Sequence, residues 1–114
     1  MSQDPRRDLS VPLPVIVRHP DGTVRHEYLV NVSVSGVCLH MRSPVAIGEE
    51  IWVAFQLPAQ AGEIQAIGKV VWTSHEGEIH PVPRFFETGV FLLDLGEVDR
   101  KRIETFVFAQ VDRR

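Results

Sequence analysis

The sequence predicts a mainly β fold: a six-stranded antiparallel barrel with one C-terminal α-helix. Three observations carry this expectation. Six short segments alternate apolar and polar residues with a period of two. Clusters of Gly, Pro, Asn, Asp and Ser separate them at regular spacing. The last apolar segment then changes to a helical period.

Residues 1–10 read as a flexible N-terminal arm, and residues 11–114 as one barrel domain. Pro12 and Pro14 hold the chain extended after the arm. Leu13, Val15 and Val17 then alternate with Pro14, Ile16 and Arg18 in a first strand. Asp21-Gly22 marks a hairpin turn. The second strand sets Val24, His26, Tyr28 and Val30 on one face. Its other face carries Arg25, Glu27 and Leu29. The turn Asn31 to Gly36 ends it.

Val37, Leu39 and Met41 define a third strand, and Ile51, Val53, Phe55 and Leu57 a fourth. The fifth spans Ile64 to Ser74, with Gly68 the expected bulge or bend. His75 to Pro83 reads as a polar loop, and Phe86 to Leu93 as the sixth strand. The helix is expected over about 97–110. Gly96 suits its N-cap, and Glu97 and Asp99 suit its positive end. Val98, Ile103, Phe106 and Val107 would bury against the barrel, leaving Arg100, Lys101 and Arg102 mostly on the wet side.

Composition narrows the function. A chain of 114 residues with 44% apolar content suits one packed domain. A net charge of −3 argues against a nucleic acid polymer as partner. A compact anionic ligand needs only a local basic cluster. The single cysteine, Cys38, excludes an intrachain disulfide and a cysteine-rich zinc site. No apolar run approaches the roughly 20 residues that span a bilayer, so membrane insertion is not expected. The polar N-terminus lacks a signal-peptide core, which makes the cytoplasm the expected location. Asn31-Val32-Ser33 also fits the glycosylation pattern, but without a secretion signal that match reads as incidental.

Two stretches carry chemistry. Arg6-Arg7-Asp8-Leu9-Ser10 offers adjacent planar forks for phosphate or a guanine edge. Asn31-Val32-Ser33-Val34-Ser35-Gly36 offers an amide, a hydroxyl and bare backbone. Alone, terminal arginines are ordinarily a solvated tail, and Asn, Ser and Gly are ordinary turn residues. The hairpin joins the two readings. The arm enters the first strand and the turn leaves the second, so both reach one corner of the barrel. The candidate ligand residues are therefore Arg6, Arg7, Asn31, Ser33 and Gly36.

Other groups carry less. His75 to His80 misses the spacing of a helical zinc motif and reads as a solvated loop. His19, His26 and His40 read as polar-face residues, and Cys38 as structural. No nucleophile, base and orienting group share an arrangement, so neither an enzyme nor a metal site is expected.

In order along the chain, Arg6-Arg7, Asn31-x-Ser33-x-x-Gly36, Gly68-Lys69-Val70-Val71-Trp72, Gly89-Val90-Phe91 and Asp99-Arg100 resemble the PilZ domain. That is a bacterial receptor family for cyclic di-GMP. The resemblance implies that Arg6 and Arg7 engage phosphates and guanines while Asn31, Ser33 and the backbone near Gly36 contact the other edge. It implies a receptor or adaptor whose arm orders on ligand binding and signals through a protein partner not yet identified. The arm departs from the family pattern at Ser10, which stands where a second arginine belongs. One bidentate arginine–guanine contact is worth about 1–3 kcal/mol, or roughly 5- to 150-fold in affinity. The alternative is therefore a degenerate PilZ-like domain that binds no nucleotide and works through protein contacts, as in type IV pili or motility complexes.

Overall fold

A computed structural model describes residues 5–74 and 85–109. Six strands and one helix follow in chain order: β1 (Arg6–Arg18), β2 (Val24–Ser33), β3 (Gly36–Met41), β4 (Glu50–Phe55), β5 (Ile64–Thr73), β6 (Phe86–Leu92) and α1 (Glu97–Ala109). All neighbouring strands are antiparallel. They close into a barrel in the order β1-β2-β3-β6-β5-β4, with β1 pairing both β2 and β4. Closure gives every strand a neighbour on both sides. No helix of the described residues is long and apolar enough to cross a membrane.

Period-two alternation fills the interior. Leu29 on β2 pairs Leu39 on β3, and both are fully buried. Val15 and Val17 on β1 meet Phe55 and Val53 on β4, again inside. Each such side chain contributes about 1.5–3 kcal/mol on leaving water. The buried side of β2 is the one holding Glu27 and Leu29, whereas Val24 and Tyr28 are exposed. Alternation alone separates two faces without saying which is inside. A buried Glu27 is tolerated because its carboxylate is satisfied. It accepts from the Arg42 amide at 3.1 Å and lies 3.4 Å from His19 Nε2. His19 is therefore a buried partner, not the polar-face residue expected of it.

The first strand begins at Arg6, five residues before the expected start of the barrel. Arg6, Arg7 and Asp8 pair with Ser33, Val32 and Asn31. The strand was illegible there because residues 6–10 carry one apolar side chain, Leu9, and pairing comes from the backbone. The register shifts between Asp8 and Leu13, so Leu9 to Pro12 bulge opposite Val30. The hairpin after β1 closes at Gly22, whose φ of 91° suits a residue without a Cβ.

Helix α1 buries Ile103, Phe106 and Val107. Val98, expected in the core, is 74% exposed, because it lies in the first turn on the outer side. Arg102, expected on the wet side, is half-buried. It donates to the Ala61 and Gly62 carbonyls at 2.7 Å and to Gln60 Oε1 at 3.2 Å, and pairs with Asp99. These charge-assisted bonds fasten the helix to the β4–β5 connection.

Candidate ligand site

Three irregularities in strand pairing build the site. A β-bulge adds one residue to one strand and so re-aims every side chain beyond it. On β2 the bulge falls at Val30. Residues 27 and 29 are buried before it and residue 32 after it. Asn31 and Ser33 therefore turn outward. On β5 the extra residue is Val71, since Val70 pairs Val90 but Trp72 pairs Gly89. The even-numbered positions up to Val70 face inward, and the bulge turns Trp72 out. The third irregularity is the Leu9–Pro12 bulge of β1, which brings Ser10 to the rim. Gly68, where the bulge was expected, instead faces inward. A Cβ there would collide with the Val90 side chain.

The floor of the site is a ladder of outward residues on β3 and β6. Gly36 pairs Phe91, Cys38 pairs Gly89, and His40 pairs Glu87. Small residues at Gly36, Cys38 and Gly89 make it concave. The Trp72 indole lies over Gly89, where any Cβ would strike the ring. Gly36 answers a different constraint: a Cβ there would meet the Val90 carbonyl oxygen of the adjoining strand. The resulting open cavity measures about 660 Å³.

Four of the five candidate residues meet there: Arg6, Asn31, Ser33 and Gly36 line this one cavity. No hydrogen bond or ion pair ties the Arg6 guanidinium to another described residue. Ser33 stabilises the turn itself. Its hydroxyl accepts from the Gly36 amide and donates to the Gly36 carbonyl, both at 3.1 Å. Asn31 donates its side-chain amide to the Asp8 carboxylate.

Arg7 is not brought to the cavity. Adjacent residues on a strand face opposite sides, so Arg7 points toward α1. Its guanidinium donates to the Phe106 carbonyl at 2.9 Å and lies 4.1 Å from the centre of that ring. Arg18 and Arg42 do not line the cavity either. Arg18 sits over Trp52.

Sequence reasoning passed over the other lining groups. Asp8, Glu87 and His40 all face the cavity, with Glu87 lying 3.3 Å from His40 Nε2. Among the described residues the cavity thus holds two carboxylates beside the guanidinium of Arg6. Cys38 reports that field. Burial first, and then the Glu87 charge, push its thiol up to about 11. Cys38 and His40 share the parity of Gly36 and could have been found from it. Trp72 could not, because its bulge has no sequence signal. Among the described residues no three His, Cys, Asp or Glu are grouped to hold a metal. The loop from His75 to His80 lies outside the described residues.

The PilZ domain family model matches residues 2–109. No curated protein sequence matches the chain. Among solved structures, the Bacillus subtilis inhibitor of motility, MotI/DgrA, superposes with a TM-score of 0.75 at 16% identity. That match covers 100% of this chain and 53% of MotI/DgrA, so the chain spans about half that protein's length. The PilZ domain of YcgR from Escherichia coli, solved with cyclic di-GMP, gives 0.71 at 13% identity and covers 95% and 89% of the two chains. The PilZ domain of CeSA from a cellulose-synthesizing bacterium gives 0.59 at 12% identity, covering 92% and 98%. At these identities the likeness to solved structures establishes the fold.

Proposed function

Because this chain belongs to the PilZ domain family, we propose that it is a cytoplasmic receptor for cyclic di-GMP that signals through a protein partner. PilZ domains are non-enzymatic, and the reading needs no catalytic step. One observation carries it: Arg6, Asn31, Ser33 and Gly36 line a single concave cavity walled by an exposed indole. A guanidinium with no partner among the described residues suits a phosphate or a guanine edge. An amide and bare backbone suit the remaining polar edges of a purine. An indole offers a stacking face for a base.

The output we propose is a rearrangement of residues 6–10. Only Arg6 to Asp8 pair with β2 beyond the bulge, so few backbone bonds oppose their movement. Arg7 joins the same segment to α1, and a shift at Arg6 would be felt at Phe106. The rearranged segment and helix would form the surface a partner reads.

A second reading has its own support. Among the described residues two carboxylates line the cavity, Ser10 puts a hydroxyl at the rim where the family pattern has an arginine, and Arg7 is engaged elsewhere. These favour a degenerate domain acting through protein contacts alone. Calorimetric titration of the full chain with cyclic di-GMP separates the two. Saturable heat supports the receptor. No heat at high micromolar ligand sinks it and leaves the interaction module.

A further inference from the structure

We infer that Asp8 is an internal competitor for the ligand, occupying the Asn31 amide until a nucleotide displaces it. The inference rests on the nucleotide reading above and deepens it. The geometry comes from strand periodicity. Arg6 and Asp8 lie two residues apart on β1, so both face the cavity. Asp8 pairs with Asn31 in the β1–β2 register, and the Asn31 side-chain amide donates to the Asp8 carboxylate. One candidate ligand donor is therefore already spent on a group of this chain.

The chemistry of the two acceptors is alike. An ionised carboxylate is acceptor-only, as is a phosphate oxygen or the O6/N7 edge of guanine. Asp8 thus offers Asn31 what the ligand would offer. It also sets a negative charge beside Arg6, the one cation that lines the cavity among the described residues. Arg6, Asp8 and Glu87 all act on the Cys38 thiol, which places their charges about one point. A dianionic ligand must displace the Asp8 carboxylate from Asn31 and bear its repulsion. Asp8 therefore raises the concentration at which the site fills and discriminates against weakly held anions.

The test uses the full chain, cyclic di-GMP and calorimetry, with Asp8→Asn and Asp8→Ala compared with wild type. Asp8→Asn keeps the shape and removes the charge. It should bind about tenfold more tightly, and the gain should shrink as salt screens the removed repulsion. Asp8→Ala should bind more tightly as well. Without any ligand, it should also shift the Asn31 side-chain amide resonances in a nitrogen–proton NMR spectrum. Wild-type affinity in both variants, or unmoved Asn31 resonances in Asp8→Ala, overturns the role of Asp8 and leaves the receptor reading standing. Tighter binding by both variants than by a wild type that itself binds supports it. Binding by none of the three, nor by Ser10→Arg, overturns the nucleotide reading and this inference with it.

Discussion

The Arg7 guanidinium lies 4.1 Å from the Phe106 ring and donates to the Phe106 carbonyl at 2.9 Å. Phe106 is among the last four residues of α1, whose carbonyls lack helical donors. The last turn has no basic residue of its own, so Arg7 supplies the missing cation from β1. Arg7→Ala should lower unfolding free energy by about 1–2 kcal/mol, read by urea denaturation. Arg7→Lys keeps the charge without the stacked plane and should fall between. Unchanged stability in Arg7→Ala would remove its role as a helix anchor.

Arg6 and Arg7 are neighbours that face opposite ways, Arg6 to the cavity and Arg7 to the helix, and their variants should separate. Arg6→Ala should leave stability unchanged and weaken cyclic di-GMP binding by roughly 10- to 100-fold, the scale of one charged bidentate contact. Ser10→Arg restores a guanidinium at the rim and should tighten binding by about 5- to 150-fold. Equal affinities for Ser10→Arg and wild type, measured by calorimetry, would deny that position a place at the ligand.

Much of this was legible in the sequence, and for a physical reason. Leu39 and Val53 fell on the uniformly apolar face of their strands, the face that must leave water, because alternation is a local property of an extended chain. The hairpin at Asp21-Gly22 placed Asn31 near the arm for the same reason. The orientation of Arg7 was missed although the rule was available. Residues 6–10 were read as an arm, and period two applies only within a strand.

The two glycines of the floor should respond differently to alanine. At Gly36 the added Cβ meets a backbone oxygen, so β3 must move from β6. Gly36→Ala should cost about 2 kcal/mol. At Gly89 the obstacle is the Trp72 side chain, which can swing away. Gly89→Ala should cost less stability, shift tryptophan emission and weaken ligand binding. Unaltered emission would mean that Trp72 does not rest on Gly89.

Glu27 is 1% exposed and serves both the Arg42 amide and His19. Glu27→Ala strands the amide and opens a void, and should cost about 3 kcal/mol in urea denaturation. A loss under about 1 kcal/mol, the range of a surface pair, would contradict its buried role.

The Cys38 thiol ordinarily ionises near 9.0 and is held up at about 11. Thiolate is the reactive form, so alkylation by iodoacetamide should be slow at neutral pH and rise as pH approaches that value. Glu87→Gln removes the second cause of the shift. The thiolate then forms at lower pH, and labelling at a given alkaline pH should quicken. Fast labelling of wild type at neutral pH would contradict the burial of this thiol.

The sequence by itself determined a closed β-barrel with a terminal helix, the hairpin that joins arm to turn, and the small residues Ser33 and Gly36 of that turn. Each follows from period, turn chemistry or backbone freedom, which act over a few residues. Tertiary structure alone decided that Asn31 and Trp72 face one cavity, that Asp8 occupies Asn31, and that Arg7 serves the helix. Those outcomes depend on bulges at Val30, Val71 and Leu9–Pro12. A bulge is set by how two strands match across the sheet, and neither strand carries that match in its own sequence.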